Sequence, residues 1–215
     1  MAAGADEPVI SSLRRATRDR HTALEGILQL DSSLSHRSYL DALRGFELFL
    51  SMWEPRIHVA LDAPLRDWFA SRSRRCLLRR DLAQLHDGQD DREHARPVCH
   101  QAVSQIDVVG PAAAFGSIYV LEGSALGGQV IARAARGTLG LGPENGAAYF
   151  NGHDRHTAAR WAEFRVLLEV KVGPGPAACR QACNAACQTF DALIATFGCL
   201  RRRDAGIAHH CEDAR

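Results

Sequence analysis

The sequence predicts an all-α fold, a compact single domain of six to eight helices, on three observations. Alanine, leucine and arginine dominate while β-branched residues are thin, and these abundant types are good helix formers. Alternation of apolar and polar residues with period two, the mark of a half-buried strand, hardly occurs. Apolar residues instead recur every three or four positions, which lays a stripe along one helix face. At 215 residues with 46% apolar and 24% charged content, the chain can bury one sizeable core.

Taken in order, residues 1–10 read as a flexible N-terminus. The first helix is expected from a Ser11 or Ser12 cap to Leu30, with Leu13, Ala16, Arg20, Leu24, Ile27 and Leu28 on one face and His21 at its edge. A second helix follows from Ser35, where Tyr39, Leu43, Phe46, Leu50, Trp53 and Ile57 share a stripe and Pro55 is a candidate kink. A third is expected over Leu65 to His86, followed by a polar loop, DGQDDREHARP. Pro97 suits the start of a short helix and Pro111 that of a longer, glycine-interrupted one. A loop over Gly137 to Gly152 leads to a helix from Arg155 to Val170, and after GPGP a last helix spans Ala177 to Leu200. Residues 201–215 read as a mobile tail outside a helical domain of residues 11–200.

Composition excludes several classes of function. The net charge of +1 gives no global field to hold nucleic acid or an anionic membrane, and no apolar run is long enough to span a bilayer. Asp6 and Glu7 stand where a secretory leader would carry positive charge, so the chain reads as cytoplasmic, and its seven cysteines read as reduced thiols. Arg72, Arg74, Arg75, Arg79 and Arg80 form a basic patch, read first as a solvated helix face and otherwise as a surface for an acidic protein.

Two segments can carry chemistry. In LRRATRDRHTALE, His21 is either a core histidine or a metal ligand. Glu25 lies one turn on, where its carboxylate can hold one ring nitrogen and leave the other for a metal, and Arg14 lies two turns before on the same side, where an anionic substituent would find a cation. In YVLEGSALGGQ, Tyr119 to Gln129, three glycines fall within six helical positions, each costing about 1 kcal/mol relative to alanine. Gly123, Gly127 and Gly128 fit either a close helix crossing or a flat ligand lying on bare backbone, with Ser124 beside it. Cys179, Cys183 and Cys187 line one stripe of the last helix, read as core packing before a soft-metal site, and His209, His210 and Cys211 in the tail carry no assigned role.

Together these segments resemble the haem oxygenase family. LRRATRDRHTALE and IYVLEGSALGGQ stand in that family's order and separation, RRCLLRRDLAQL resembles its middle helix, and WAEFRVLLE near Trp161 its haem-edge helix. The likeness spans roughly residues 10–200, and the YVLEGS wording is closest to the bacterial, biliverdin-producing branch found beside bacteriophytochromes.

The resemblance implies haem as both cofactor and substrate, clamped between the first helix and the glycine-rich one. His21 would be the proximal iron ligand with Glu25 behind it, and Gly123, Ser124, Gly127 and Gly128 would wall the side that receives O2. Arg14, Tyr119 and Arg165 would meet the propionates, whereas Glu169 stands where many members carry a second base. Products would be biliverdin, carbon monoxide and ferrous iron, with electrons from a separate reductase or ferredoxin and a bacteriophytochrome as a receiver of the bilin. Ser124 replaces an aspartate that many relatives use to hold distal water, which leaves a haem-binding or haem-trafficking protein without turnover as an alternative; the arginine patch leaves a second, an all-α interaction domain that binds no tetrapyrrole.

Overall fold

The computed structural model describes residues 8–30, 34–85 and 91–212, with side chains described except at 91, 92, 154 and 202–212. Among these residues there are nine α-helices and no strand: α1 (Val9–Leu28), α2 (His36–Ala60), α3 (Ala63–Ala70), α4 (Arg75–Gln84), α5 (Arg96–Ser104), α6 (Gly110–Leu139), the single turn α7 (Ala148–Asn151), α8 (Thr157–Val172) and α9 (Pro176–Glu212). Short 3-10 turns at Asp91–Ala95 and Asp154–His156 precede α5 and α8. The fold is all-α, as expected.

Helices α6 and α9 form the central pair; α1 packs on α9, α8 on α6, and α2 runs against α4, α5, α6 and α9. Gly116 permits the central contact, since a Cβ there would collide with the Ala182 carbonyl of α9. A buried hydrogen-bond chain joins three helices: Trp53 Nε1 donates to Ser117 Oγ at 2.8 Å, and Ser117 Oγ lies 2.7 Å from Thr189 Oγ1. Stacked rings of Trp68, Phe115, Phe164 and Trp161 knit α3, α6 and α8. All six residues of the stripe read on α2 are buried, and Ser35 caps it by accepting from Ser38 N at 3.0 Å. The helix continues through Pro55 to Ala60.

Several boundaries differ from expectation. Helix α1 begins at Val9, not at a serine cap, because Glu169 of α8 supplies the acceptors for its first N–H groups: Oε2 from Val9 N at 3.2 Å and Oε1 from Ile10 N at 3.3 Å. Residues 1–7 lie outside the described residues. The glycines do not interrupt α6, which is continuous to Leu139, so the expected loop shortens to the turn before α7. Helix α9 passes the expected end at Leu200 and reaches Glu212, where His209, His210 and Cys211 have backbone but no described side chains.

The third expected helix divides into α3 and α4 at residues 71–74, and His86 lies outside the described residues, as do residues 87–90 of the polar loop. The division turns two of the five arginines inward. Arg72 is buried, its Nε and Nη2 donating to the Glu122 carboxylate at 2.9 and 3.0 Å and its Nη1 to Glu163 at 2.9 Å, with the Arg160 carbonyl accepting as well. Arg74 is buried beneath Tyr149. Arg75 and Arg79 face Glu47, and Arg80 pairs with Glu144 at 2.9 Å. Four of the five arginines thus reach carboxylates within the chain, Arg79 and Arg80 while still exposed to solvent, and the buried Arg74 meets only carbonyls and the Tyr149 ring.

Candidate functional site

Helix α1 presents its exposed face to a cavity of about 730 Å³, lined by Arg14, Thr17, Arg18, His21, Leu24 and Glu25 among others. Its size falls in the range of about 300–1,000 Å³ that holds drug-sized ligands. His21 is 58% exposed, and its Nδ1 sits 3.3 Å from Glu25 Oε2. The i,i+4 spacing read from sequence thus becomes a direct contact that occupies one ring nitrogen and leaves Nε2 free. The imidazole rests edge-on against Phe190 of α9, with centroids 5.9 Å apart.

Helix α6 supplies the other wall with Tyr119, Val120, Leu121, Gly123, Ser124, Leu126, Gly127, Val130 and Ile131. A Cβ on Gly127 would meet nothing within 4 Å, whereas one on Gly123 would make ordinary contact with the Trp161 ring at 3.8 Å. Ser124 Oγ donates to the Leu121 carbonyl at 2.8 Å, so toward the cavity it offers lone pairs rather than a proton. Leu126 and Val130 are 41% and 55% exposed along this wall, an apolar surface that suits a large flat ligand. Burial lifts the Tyr119 phenol above its ordinary pKa, opposed by a hydrogen bond with Thr17 and by the nearby charge of Arg14.

Two expected site residues stand elsewhere. Gly128 is buried and faces α7: a Cβ there would lie 2.9 Å from the Phe150 carbonyl oxygen, so this glycine serves a backbone crossing and not the cavity wall. Arg165 is exposed on α8 and does not line the cavity; that helix contributes Trp161, one turn earlier. Glu169 is engaged at the start of α1, as described above.

Sequence reasoning missed Arg18, which lies four residues after Arg14 on the same face, a periodicity that could have revealed it. It also missed the inner wall. There Arg74, Phe46, Tyr149 and Phe150 line the cavity; Asp81 anchors the start of α7, its buried carboxylate accepting from Ala148 N at 2.9 Å and Tyr149 N at 2.7 Å. No local pattern announces these residues.

The cysteine stripe lies apart. Cys187 Sγ donates to the Ala16 carbonyl at 3.4 Å, and burial followed by the neighbouring Cys179 pushes the Cys183 thiol up to about 12, which keeps it protonated. Among the described residues no cluster of three His, Cys, Asp or Glu side chains can hold a metal, and no helix is long and apolar enough to cross a membrane.

The site residues fit a metalloporphyrin: one imidazole backed by a carboxylate, apolar walls, and two exposed guanidinium-bearing side chains for its carboxylates. The Heme oxygenase family model matches residues 7–198. Among solved structures, heme oxygenase from Leptospira interrogans is similar, with 18% identity and a TM-score of 0.72 over 89% of this chain and 98% of that one. Heme oxygenase-1 from the cyanobacterium Synechocystis, determined in complex with heme, has 19% identity and a TM-score of 0.69 over 95% and 99% of the two chains. No curated protein matches.

Proposed function

This chain belongs to the haem oxygenase family, enzymes that bind and degrade haem, and from that premise we propose that it opens haem to biliverdin with release of carbon monoxide and ferrous iron. Electrons come from a separate reductase or ferredoxin. The observation that carries this reading is that one cavity gathers the imidazole of α1 and the side-chain-poor run of α6, about one hundred residues apart in sequence.

His21 would hold the iron through Nε2, with Glu25 beside Nδ1 to orient the ring. Arg14, Arg18 and the Tyr119 hydroxyl bind the propionates, which orients the macrocycle before any chemistry. Gly123 and Gly127 keep large side chains off the second face, and Leu126 and Val130 keep bulk water from it. Haem supplies the iron that activates O2 and is itself the substrate cleaved. One meso carbon leaves as carbon monoxide, the two flanking ring carbons become carbonyls of the bilin, and the remaining oxygen leaves as water at the expense of the donor's electrons. A bacteriophytochrome is the proposed receiver of the bilin.

Aerobic incubation of the hemin complex with ascorbate or a ferredoxin system tests the proposal. Loss of the Soret band with growth of a bilin spectrum is the expected result. A Soret band unchanged over hours would leave a haem carrier of the same fold, and failure of the protein to bind hemin would remove the haem reading altogether.

A further inference from the structure

Cys179, Cys183 and Cys187 follow one another along α9 at i,i+4 steps, which stacks their side chains in one column. The residues that α9 sends into the core are others, Ala182, Ala185, Ala186 and Phe190 among them, and all three thiols are only half-buried. Cys99 of α5 is by contrast fully enclosed, as a thiol serving as a small apolar side chain is. The column therefore runs along the edge of the packed face, at the seam with α1, and none of its members lines the haem cavity.

Within the column, Cys187 is engaged with the Ala16 carbonyl. Cys183 instead hydrogen-bonds the thiol of Cys179. A disulfide does not suit this pair: Cβ atoms four residues apart on a helix stand about 5–6 Å apart, wider than the roughly 3.5–4.5 Å that a disulfide spans. A single atom bonded to both sulfurs bridges the wider gap without distorting the helix. Structural zinc wants four ligands, and among the described residues no third His, Cys, Asp or Glu side chain completes such a cluster. A linear two-coordinate cation would hold the sulfurs two full bond lengths apart, whereas a pyramidal atom with bonds near right angles keeps them close. Burial also holds the Cys183 thiol in its protonated form, so a suitable ligand takes neutral thiols and leaves no new charge at the seam.

We propose that Cys179 and Cys183 form a dithiol site for trivalent arsenic, as arsenite or a monosubstituted arsenical, on the outer side of the α1–α9 seam and separate from the haem cavity. Soft thiol sulfur matches a soft, polarisable acceptor of this kind. In the reaction two S–H bonds and two As–OH bonds break, two As–S bonds form, and two water molecules leave. Arsenic stays trivalent, no electron is transferred, and the product at the seam is neutral. Both sulfurs sit on one rigid helix, so the second As–S bond forms within the molecule and gains the advantage of chelation.

Phenylarsine oxide is the probe, titrated anaerobically into the full-length, pre-reduced protein and followed by non-denaturing mass spectrometry. One phenylarsenic group per chain is expected at low concentration. Cys179→Ser and Cys183→Ser should each weaken binding about a hundredfold, the lower end of what linking two binding groups gains. Cys76→Ser and Cys187→Ser should bind as wild type does. Wild-type affinity in either of the first two variants, or a hundredfold loss in Cys187→Ser, would overturn the site. Wild type alone gives a second test, because Arg180 lies between the two cysteines and trypsin cuts there. A digest of the adduct should contain peptides 172–180 and 181–201 joined through arsenic. Arsenic confined to peptide 181–201, which carries Cys183, Cys187 and Cys199, or no adduct at all, would overturn the proposal whatever the serine variants do.

Discussion

The Glu25 carboxylate lies 3.3 Å from His21 Nδ1, one turn along α1, so the imidazole facing the cavity is oriented by its own helix. The contact is exposed and so adds little to the stability of the fold; under the proposed function its part is to orient the ring. Glu25→Ala should keep hemin bound through His21 while lowering the iron–histidine stretching frequency of the ferrous complex. Turnover should fall about tenfold, the lower end for removing such a partner. Resonance Raman spectra and bilin yield check both, and an unshifted stretch would show that the carboxylate does not hold the ring.

Gly127 and Gly128 are neighbours in sequence with opposite environments. Alanine at 127 meets open space in an ordinary helix, so Gly127→Ala should stabilise the apoprotein by up to about 1 kcal/mol. A leucine there should exclude hemin from a folded protein. Gly128→Ala pushes a methyl group against the Phe150 carbonyl and should destabilise by about 1–3 kcal/mol. Chemical denaturation of the two alanine variants provides the comparison, and equal effects would contradict the assignment of one glycine to the cavity and the other to packing.

Arg72 ties the break between α3 and α4 to α6 and α8 through Glu122 and Glu163. Arg72→Ala should destabilise the fold by about 3 kcal/mol, because it strands Glu122 with its partner gone. Adding Glu122→Ala should recover part of that loss. A single variant within about 0.5 kcal/mol of wild type would mean that the pair is solvated and structurally idle.

His153 Nε2 accepts from Arg160 Nη1 at 3.3 Å, and burial, followed by the charges of Arg160 and Arg74, lowers its pKa from 6.5 to about 4. The folded protein thus holds a neutral imidazole while the unfolded chain takes up a proton below 6.5. This contribution to stability is complete above pH 6.5 and is lost as pH falls toward 4. Melting temperatures from pH 7.5 to 4 should therefore fall more steeply for wild type than for His153→Gln. Parallel profiles would show that the ring is free to protonate in the fold.

Helix α2 was legible because its information is local: a regular stripe and a Ser35 cap dictate the same face whatever packs on it. His21, Glu25, Arg14 and Gly127 were legible for the same reason, and all four reach the cavity. The break at residues 71–74 was not, since the groups that draw Arg72 inward, Glu122 and Glu163, are 50 and 91 residues away. Gly128 and Arg165 were misplaced because a helical period identifies neighbours on a face but not what crosses it: the Phe150 backbone covers one, and α8 turns Trp161 rather than Arg165 to the cavity. Tyr149 owes its place to Asp81, a pairing across 68 residues.

A crystal structure of the hemin complex tests the central claim most directly. The account predicts iron bonded to His21 Nε2, Glu25 still on Nδ1, and the opposite porphyrin face against Gly123 and Gly127. Iron held by another side chain, or a porphyrin lying outside the space between α1 and α6, would contradict it.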